Sequence, residues 1–193
     1  MPERGKVFVI TGPSGVGKGT LIARLLEACP ELELSVSATT RKSRPGEVDG
    51  RDYHFLSPER FDERVRAGEF LEHATYAGNQ YGTLRETVDR CLEQGRSVVL
   101  EIEVLGAEQI RKAMPEAVQI FIEPPSPEAL RERLVGRETD SPEEIEKRLS
   151  RAELELQAAG DFHFRIVNDE VGKAASELEK LVRSELAAAG PAS

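Results

Sequence analysis

Lys6-Val7-Phe8-Val9-Ile10-Thr11 runs directly into Gly12-Pro13-Ser14-Gly15-Val16-Gly17-Lys18-Gly19-Thr20, and Leu21, Ile22, Leu25 and Leu26 follow at helical spacing. The first run is short, apolar and unbroken, which predicts a strand buried on both faces in a parallel sheet. Glycines then let the chain turn with its amides inward, and a helix begins near Lys18. Strand, glycine loop and helix in this order form a phosphate-binding loop of the G-x-x-x-x-G-K type through Gly12, Gly17 and Lys18. Inward amides and a helix N-terminus attract phosphate oxygens, and Lys18 adds a full positive charge for the β and γ phosphates. The loop departs from the usual pattern at Gly19, where a Ser or Thr is common. The hydroxyl comes one place later, at Thr20.

Outward from this loop the pattern changes and then returns. Between residues 33 and 83 short strand-like pieces recur, at Ser35–Thr40, Tyr53–Leu56, Phe70–Tyr76 and Gln80–Thr83, with a helix near 58–66. Gly46, Gly50 and Gly78-Asn79 mark turns between them. This reads as a small, mainly β insert. Strands are then expected at Ser97–Ile102, Val118–Ile122 and Phe164–Val167, with helices at 84–94, 105–113 and about 170–188. Ser57-Pro58-Glu59, Ser126-Pro127-Glu128 and Ser141-Pro142-Glu143 each start a helix: Ser caps amides, Pro suits the first position, Glu suits the positive end. Ser141 with Glu144 adds a capping box. The last two helices make a hairpin. The expected architecture is α/β, a parallel-sheet core with helices on both faces, in one domain. Its core is residues 1–33, 84–125 and 159–193, with an insert at 34–83 and a helical lid at 126–158.

Bulk properties narrow the function. The chain has 193 residues and a net charge of −9, with no basic stripe, so nucleic acid is not an expected partner. No apolar run nears the roughly 20 residues that span a bilayer. The N-terminal residues carry no signal-peptide pattern, and two lone cysteines, Cys29 and Cys91, suit a reducing compartment, so a cytoplasmic setting is expected. Monomer and homo-oligomer are both compatible with these features.

The blocks Val36-Ser37-Ala38-Thr39-Thr40-Arg41-Lys42-Ser43-Arg44-Pro45-Gly46-Glu47 and Gly50-Arg51-Asp52-Tyr53-His54-Phe55 closely resemble the signature of guanylate kinases. Gly68-Glu69-Phe70-Leu71-Glu72, Tyr81-Gly82-Thr83, Pro124-Pro125-Ser126 and Ile166-Val167-Asn168-Asp169 continue the resemblance over essentially the whole chain. The resemblance implies a P-loop nucleoside-monophosphate kinase that uses ATP and Mg²⁺ to phosphorylate GMP, with dGMP beside it. Gly12 to Thr20 and Asn168 would then bind ATP. Arg41, Arg44, Tyr53 and Tyr81 would hold the acceptor phosphate, since Arg forks grip phosphate oxygens bidentately. Glu72 would read guanine, with Ser37 and Thr83 beside it: guanine offers two donors on one edge that a single carboxylate accepts, and adenine does not. Glu101 would touch the guanine amine, and Glu103 would orient Mg²⁺-bound water, the ion being otherwise held by phosphates. The family often has Asp at both places and Pro where this chain has Ser43. Arg133, Arg137 and Arg148 would close over the phosphates from the lid, joining Lys18 and Arg44 in catalysis. Two other readings are a kinase for AMP or another monophosphate, and a non-catalytic module that binds phosphopeptides.

Overall fold

The structure is a computed structural model, and it describes residues 4–76, 78–135 and 142–188. The chain opens β1 (Val7–Thr11), α1 (Lys18–Ala28), β2 (Leu32–Leu34), β3 (Ala38–Thr39), β4 (His54–Phe55) and α2 (Pro58–Arg66). It continues β5 (Phe70–Tyr76), β6 (Asn79–Leu84), α3 (Arg85–Glu93), β7 (Ser97–Glu101) and α4 (Val104–Ala113). It ends β8 (Val118–Glu123), α5 (Pro127–Val135), α6 (Pro142–Gln157), β9 (Phe164–Val167) and α7 (Val171–Ala187). Two compact units result, Phe8–Glu31 with Val118–Ser193, and Met1–Val7 with Leu32–Ala117.

In the first unit β1, β8 and β9 are parallel, with Ile10 opposite Ile120 and Ile122 opposite Ile166. Every residue of β1 is buried, as an unbroken apolar run requires. Helices flank these strands. Leu21, Ile22 and Leu25 form the buried stripe of α1, and Ala174, Leu178 and Val182 that of α7. Arg183 of α7 donates to the Ala28 carbonyl at 2.6 Å, satisfying an acceptor that the end of α1 leaves open. Leu130 and Leu134 of α5 pack with Ala152 and Leu149 of α6.

In the second unit β2 and β7 are a parallel pair, Leu32 opposite Ser97. A separate four-stranded sheet has the order β4-β3-β6-β5. Its core is Ala38, Phe61, Phe70 and Leu84, with the rings of Phe61 and Phe70 stacked at 4.5 Å. The helix starts follow the sequence grammar. The Ser57 hydroxyl accepts from the Arg60 amide at 3.2 Å, and that of Ser126, in the first unit, from the Ala129 amide at 3.1 Å. Ser141 lies outside the described residues. One expectation is corrected: Ser35–Thr40 is not one strand. Leu32–Leu34 joins β7, the Ser35 amide still bonds the Val99 carbonyl at 2.9 Å, and only Ala38–Thr39 enters the second sheet.

Cys29 and Cys91 are buried free thiols. Among the described residues no helix is long and apolar enough to cross a membrane.

Candidate active site

The glycine loop lies between β1 and α1. Gly17 caps α1 at φ 95°, a left-handed conformation that side chains rarely adopt. Gly17 offers no side chain to cap the first amides of α1, and no acidic residue stands in its first turn. In α2, by contrast, a serine and a glutamate occupy those places. The positive end of α1 is thus the kind of helix terminus that attracts anions. Lys18 folds back over the loop, its Nζ donating to the Gly12 carbonyl and, at 3.5 Å, to that of Pro13. Gly19 has open space around it, and Thr20 is exposed in the first turn of α1.

Asn168, just past β9, is 1% exposed. Its Nδ2 donates to the Val16 carbonyl at 2.8 Å, and its buried Oδ1 has no hydrogen-bond partner among the described residues. A Cβ on Gly17 would stand 2.6 Å from that Nδ2, so the glycine also makes room for the amide. Arg133 of α5 donates to the Asn168 carbonyl at 2.8 Å. Asn168 thus joins the loop to Arg133 of α5. Arg148 is half-buried on α6, and Arg137 lies outside the described residues.

Most of the expected acceptor residues lie on or beside the four-stranded sheet, Glu101 on β7 being the exception. The Arg41 guanidinium lies 5.2 Å from the Tyr53 ring centroid and is held bidentately by Glu47, at 3.0 and 2.8 Å. Glu47 also accepts from the Arg44 amide at 2.6 Å, and the Arg44 side chain is exposed. The hydrogen bond from Arg41, then that from the Arg44 amide, brings the Glu47 carboxyl down to about 2 and keeps it charged. Tyr53 packs edge-on to Tyr81 with centroids 6.2 Å apart. Burial pushes the Tyr53 hydroxyl upward, with Tyr81 adding to it, so it is a donor at neutral pH.

Glu72 is 5% exposed although β5 is an edge strand. The register shifts between Phe70 and Glu72, a bulge that sets Glu72 opposite Thr83. The buried Thr83 hydroxyl donates to Glu72 Oε1 at 2.7 Å. Burial raises the Glu72 pKa; Thr83 opposes the rise through its side chain and amide, and the Glu103 charge adds to it. Glu103 is the N-cap residue of α4, and Glu101, at the exposed end of β7, is close enough to bear on Tyr53. Tyr81 and Thr83 are two apart on β6, so they project from one face about 7 Å apart. Ser37 precedes β3 and accepts at its carbonyl from the His54 amide at 2.9 Å.

The sequence reading gave Glu47 no role, although an acid facing two arginines across Pro45-Gly46 was the available signal. It also passed over Gly106 and Gln109 on α4, which only the packing against β5 reveals.

A family model described as guanylate kinase matches residues 4–185. The chain is 55% identical over 178 residues to a guanylate kinase of Trichormus variabilis, covering 92% of this chain and 89% of the relative. To the guanylate kinase of Lactococcus lactis it is 48% identical over 185 residues, covering 96% and 90%. The crystal structure of guanylate kinase from Anaplasma phagocytophilum superimposes with a TM-score of 0.77 at 34% identity, covering 95% of this chain and 87% of that one. With a family model over residues 4–185 and relatives about half identical across nearly the whole chain, the chain belongs to the guanylate kinase family.

Proposed function

We propose that this chain transfers the γ-phosphoryl group of ATP to GMP, and to dGMP, giving ADP and GDP or dGDP. The observation that carries the reading is the buried Glu72 carboxylate, hydrogen-bonded to Thr83 on the strand that also bears Tyr81. A carboxylate held away from water accepts guanine's N1–H and exocyclic amine together. Adenine there would leave it unpaired, which is what makes such a site selective. Ser37 and Glu101 complete the base contacts. Arg41, Arg44, Tyr53 and Tyr81 grip the acceptor phosphate, and Glu47 keeps the Arg41 fork oriented over Tyr53. Residues 34–83 are assigned as the acceptor insert, 126–158 as the lid, and the remainder as the core.

Residues Gly12, Pro13, Ser14, Gly15, Val16, Gly17, Lys18, Gly19 and Thr20 bind the ATP phosphates through loop amides and the Lys18 ammonium, which exchanges backbone carbonyls for phosphate oxygens. Asn168 supports that loop. Mg²⁺ accompanies ATP and neutralises phosphate charge. Glu103 would meet this ion through water, a hard oxygen group of the kind it accepts, and the phosphates would hold it otherwise. A GMP phosphate oxygen attacks the γ-phosphorus in line as the bond to the bridging oxygen of ADP breaks. That oxygen is a competent nucleophile, so no covalent phosphoenzyme and no strong general base are needed. The charge on the moving group is met by Lys18, Arg44, Arg133, Arg137 and Arg148.

The test is ADP release with GMP, dGMP, AMP, UMP and CMP as acceptors. Turnover confined to GMP and dGMP is expected. Turnover with AMP and none with GMP would overturn the reading.

A further inference from the structure

Helix α4 carries no residue of the guanine site proposed above, yet it meets that site at two points three residues apart. At the first, buried Gly106 lies against Glu72. A Cβ there would stand 3.1 Å from Glu72 Cδ and closer still to Oε2. At the second, the Gln109 amide makes two bonds to one residue of β5. Its Oε1 accepts from the His73 amide at 3.1 Å, and its Nε2 donates to the His73 carbonyl at 2.8 Å. Residues three apart on a helix share a face, so one face of α4 holds both the carboxylate and the backbone next to it. Thr83 fixes Oε1 from the other side.

We infer that Gly106 and Gln109 are positioning residues for base selection, setting where the Glu72 carboxylate sits and so how well guanine is read. This rests on the assignment of Glu72 as the base reader. The argument is one of competing displacements. A methyl group at Gly106 meets the far end of a side chain, which can swing aside without moving backbone. The fold therefore tolerates the change, while the carboxylate leaves its place against Thr83. The cost falls on GMP rather than on ATP, whose loop is in the other unit. Gln109 acts more mildly: without it, β5 at His73 loses two bonds that fix the strand one residue beyond Glu72.

The test is steady-state kinetics on the full chain for Gly106→Ala, Gln109→Ala, Glu72→Gln and the double variant Gly106→Ala with Glu72→Gln, with thermal melts as a check on folding. Gly106→Ala is expected to raise KM for GMP about tenfold or more and leave KM for ATP within about twofold. Gln109→Ala, a partly exposed position, is expected to raise KM for GMP about threefold and remains informative if the glycine variant fails to fold. In the Glu72→Gln background Gly106→Ala is expected to add less than about twofold, because a residue acting through the carboxylate has nothing left to position. A merely structural role would keep its full factor there. Unchanged KM for GMP in both single variants, or an undiminished factor in the double variant, overturns the inference alone. Guanine preference retained by Glu72→Gln overturns the base assignment, and this inference falls with it.

Discussion

The Thr83 hydroxyl donates to Glu72 Oε1 at 2.7 Å, between two buried side chains brought opposite each other by a bulge in β5. The bond holds an otherwise costly buried carboxylate in one place. Replacing Thr83 by Val keeps the shape and removes the donor, leaving the acid short of a partner. Stability should fall by about 1–3 kcal/mol in urea unfolding, and KM for GMP should rise several-fold while KM for ATP holds. Equal rises in the two KM values would count against a role confined to the acceptor.

The Glu72 pKa is raised chiefly by burial, so the folded protein favours its protonated form. The stabilisation from that preference is complete below the ordinary value of 4.5 and is lost as pH climbs through the raised folded value. Glu72→Gln should therefore gain stability relative to the parent as pH rises from 4.5 through the raised folded value, read by denaturant midpoints. Base reading needs the charged form, so KM for GMP should rise in the parent as pH falls through the same range. The glutamine variant should show only the smaller rise that protonation of the GMP phosphate itself brings, its second pKa being about 6.

Glu47 behaves in the opposite sense. Arg41 and the Arg44 amide hold it at about 2 against an ordinary 4.5. Its contribution is present above 4.5 and is lost as pH falls from there toward 2. Glu47→Gln should flatten the acid limb of the stability profile over that interval. At neutral pH it should raise KM for GMP by loosening the Arg41 fork, as initial-rate kinetics would show.

Lys18 is the one full charge within the glycine loop, and its substitution disturbs no packed core. Lys18→Ala should lower kcat by about a hundredfold or more with an unchanged circular dichroism spectrum. Turnover at the parent rate would remove the loop from the transfer step.

Asn168→Asp would replace the buried Nδ2, which donates to the Val16 carbonyl, by an oxygen that repels it. About 1–3 kcal/mol of stability should be lost, and KM for ATP should rise with little change in KM for GMP. Asn168→Asp with an unaltered KM for ATP would separate this residue from the shape of the loop.

Much of this was readable from the chain because local chemistry and global fold agree. Ser57-Pro58-Glu59 marks the start of α2, and the helix is Pro58–Arg66 as expected. Phe70–Tyr76 and Phe164–Val167 also fall as read. The strand Leu32–Leu34 was missed because three residues carry too little periodicity, and its partner lies 65 positions away at Ser97. Within the site, residue types pointed to Arg41 and Tyr53 and only the family resemblance to Glu72, and neither told of the burial of an acid on an edge strand. That depends on a bulge and on a helix more than thirty residues later, and neither leaves a local signature. Gly106 is silent in sequence for the same reason: the space it leaves is filled by a side chain from a distant strand.

Gln109 has a consequence apart from nucleotide chemistry. An edge strand offers its outward amides and carbonyls to any other chain that can lie alongside, which is how folded proteins begin to aggregate. At His73, midway along β5, both outward groups are already taken by a side chain of the same molecule. The sheet's open border is thus sealed at its centre, and a foreign strand finds no continuous ladder there on which to grow.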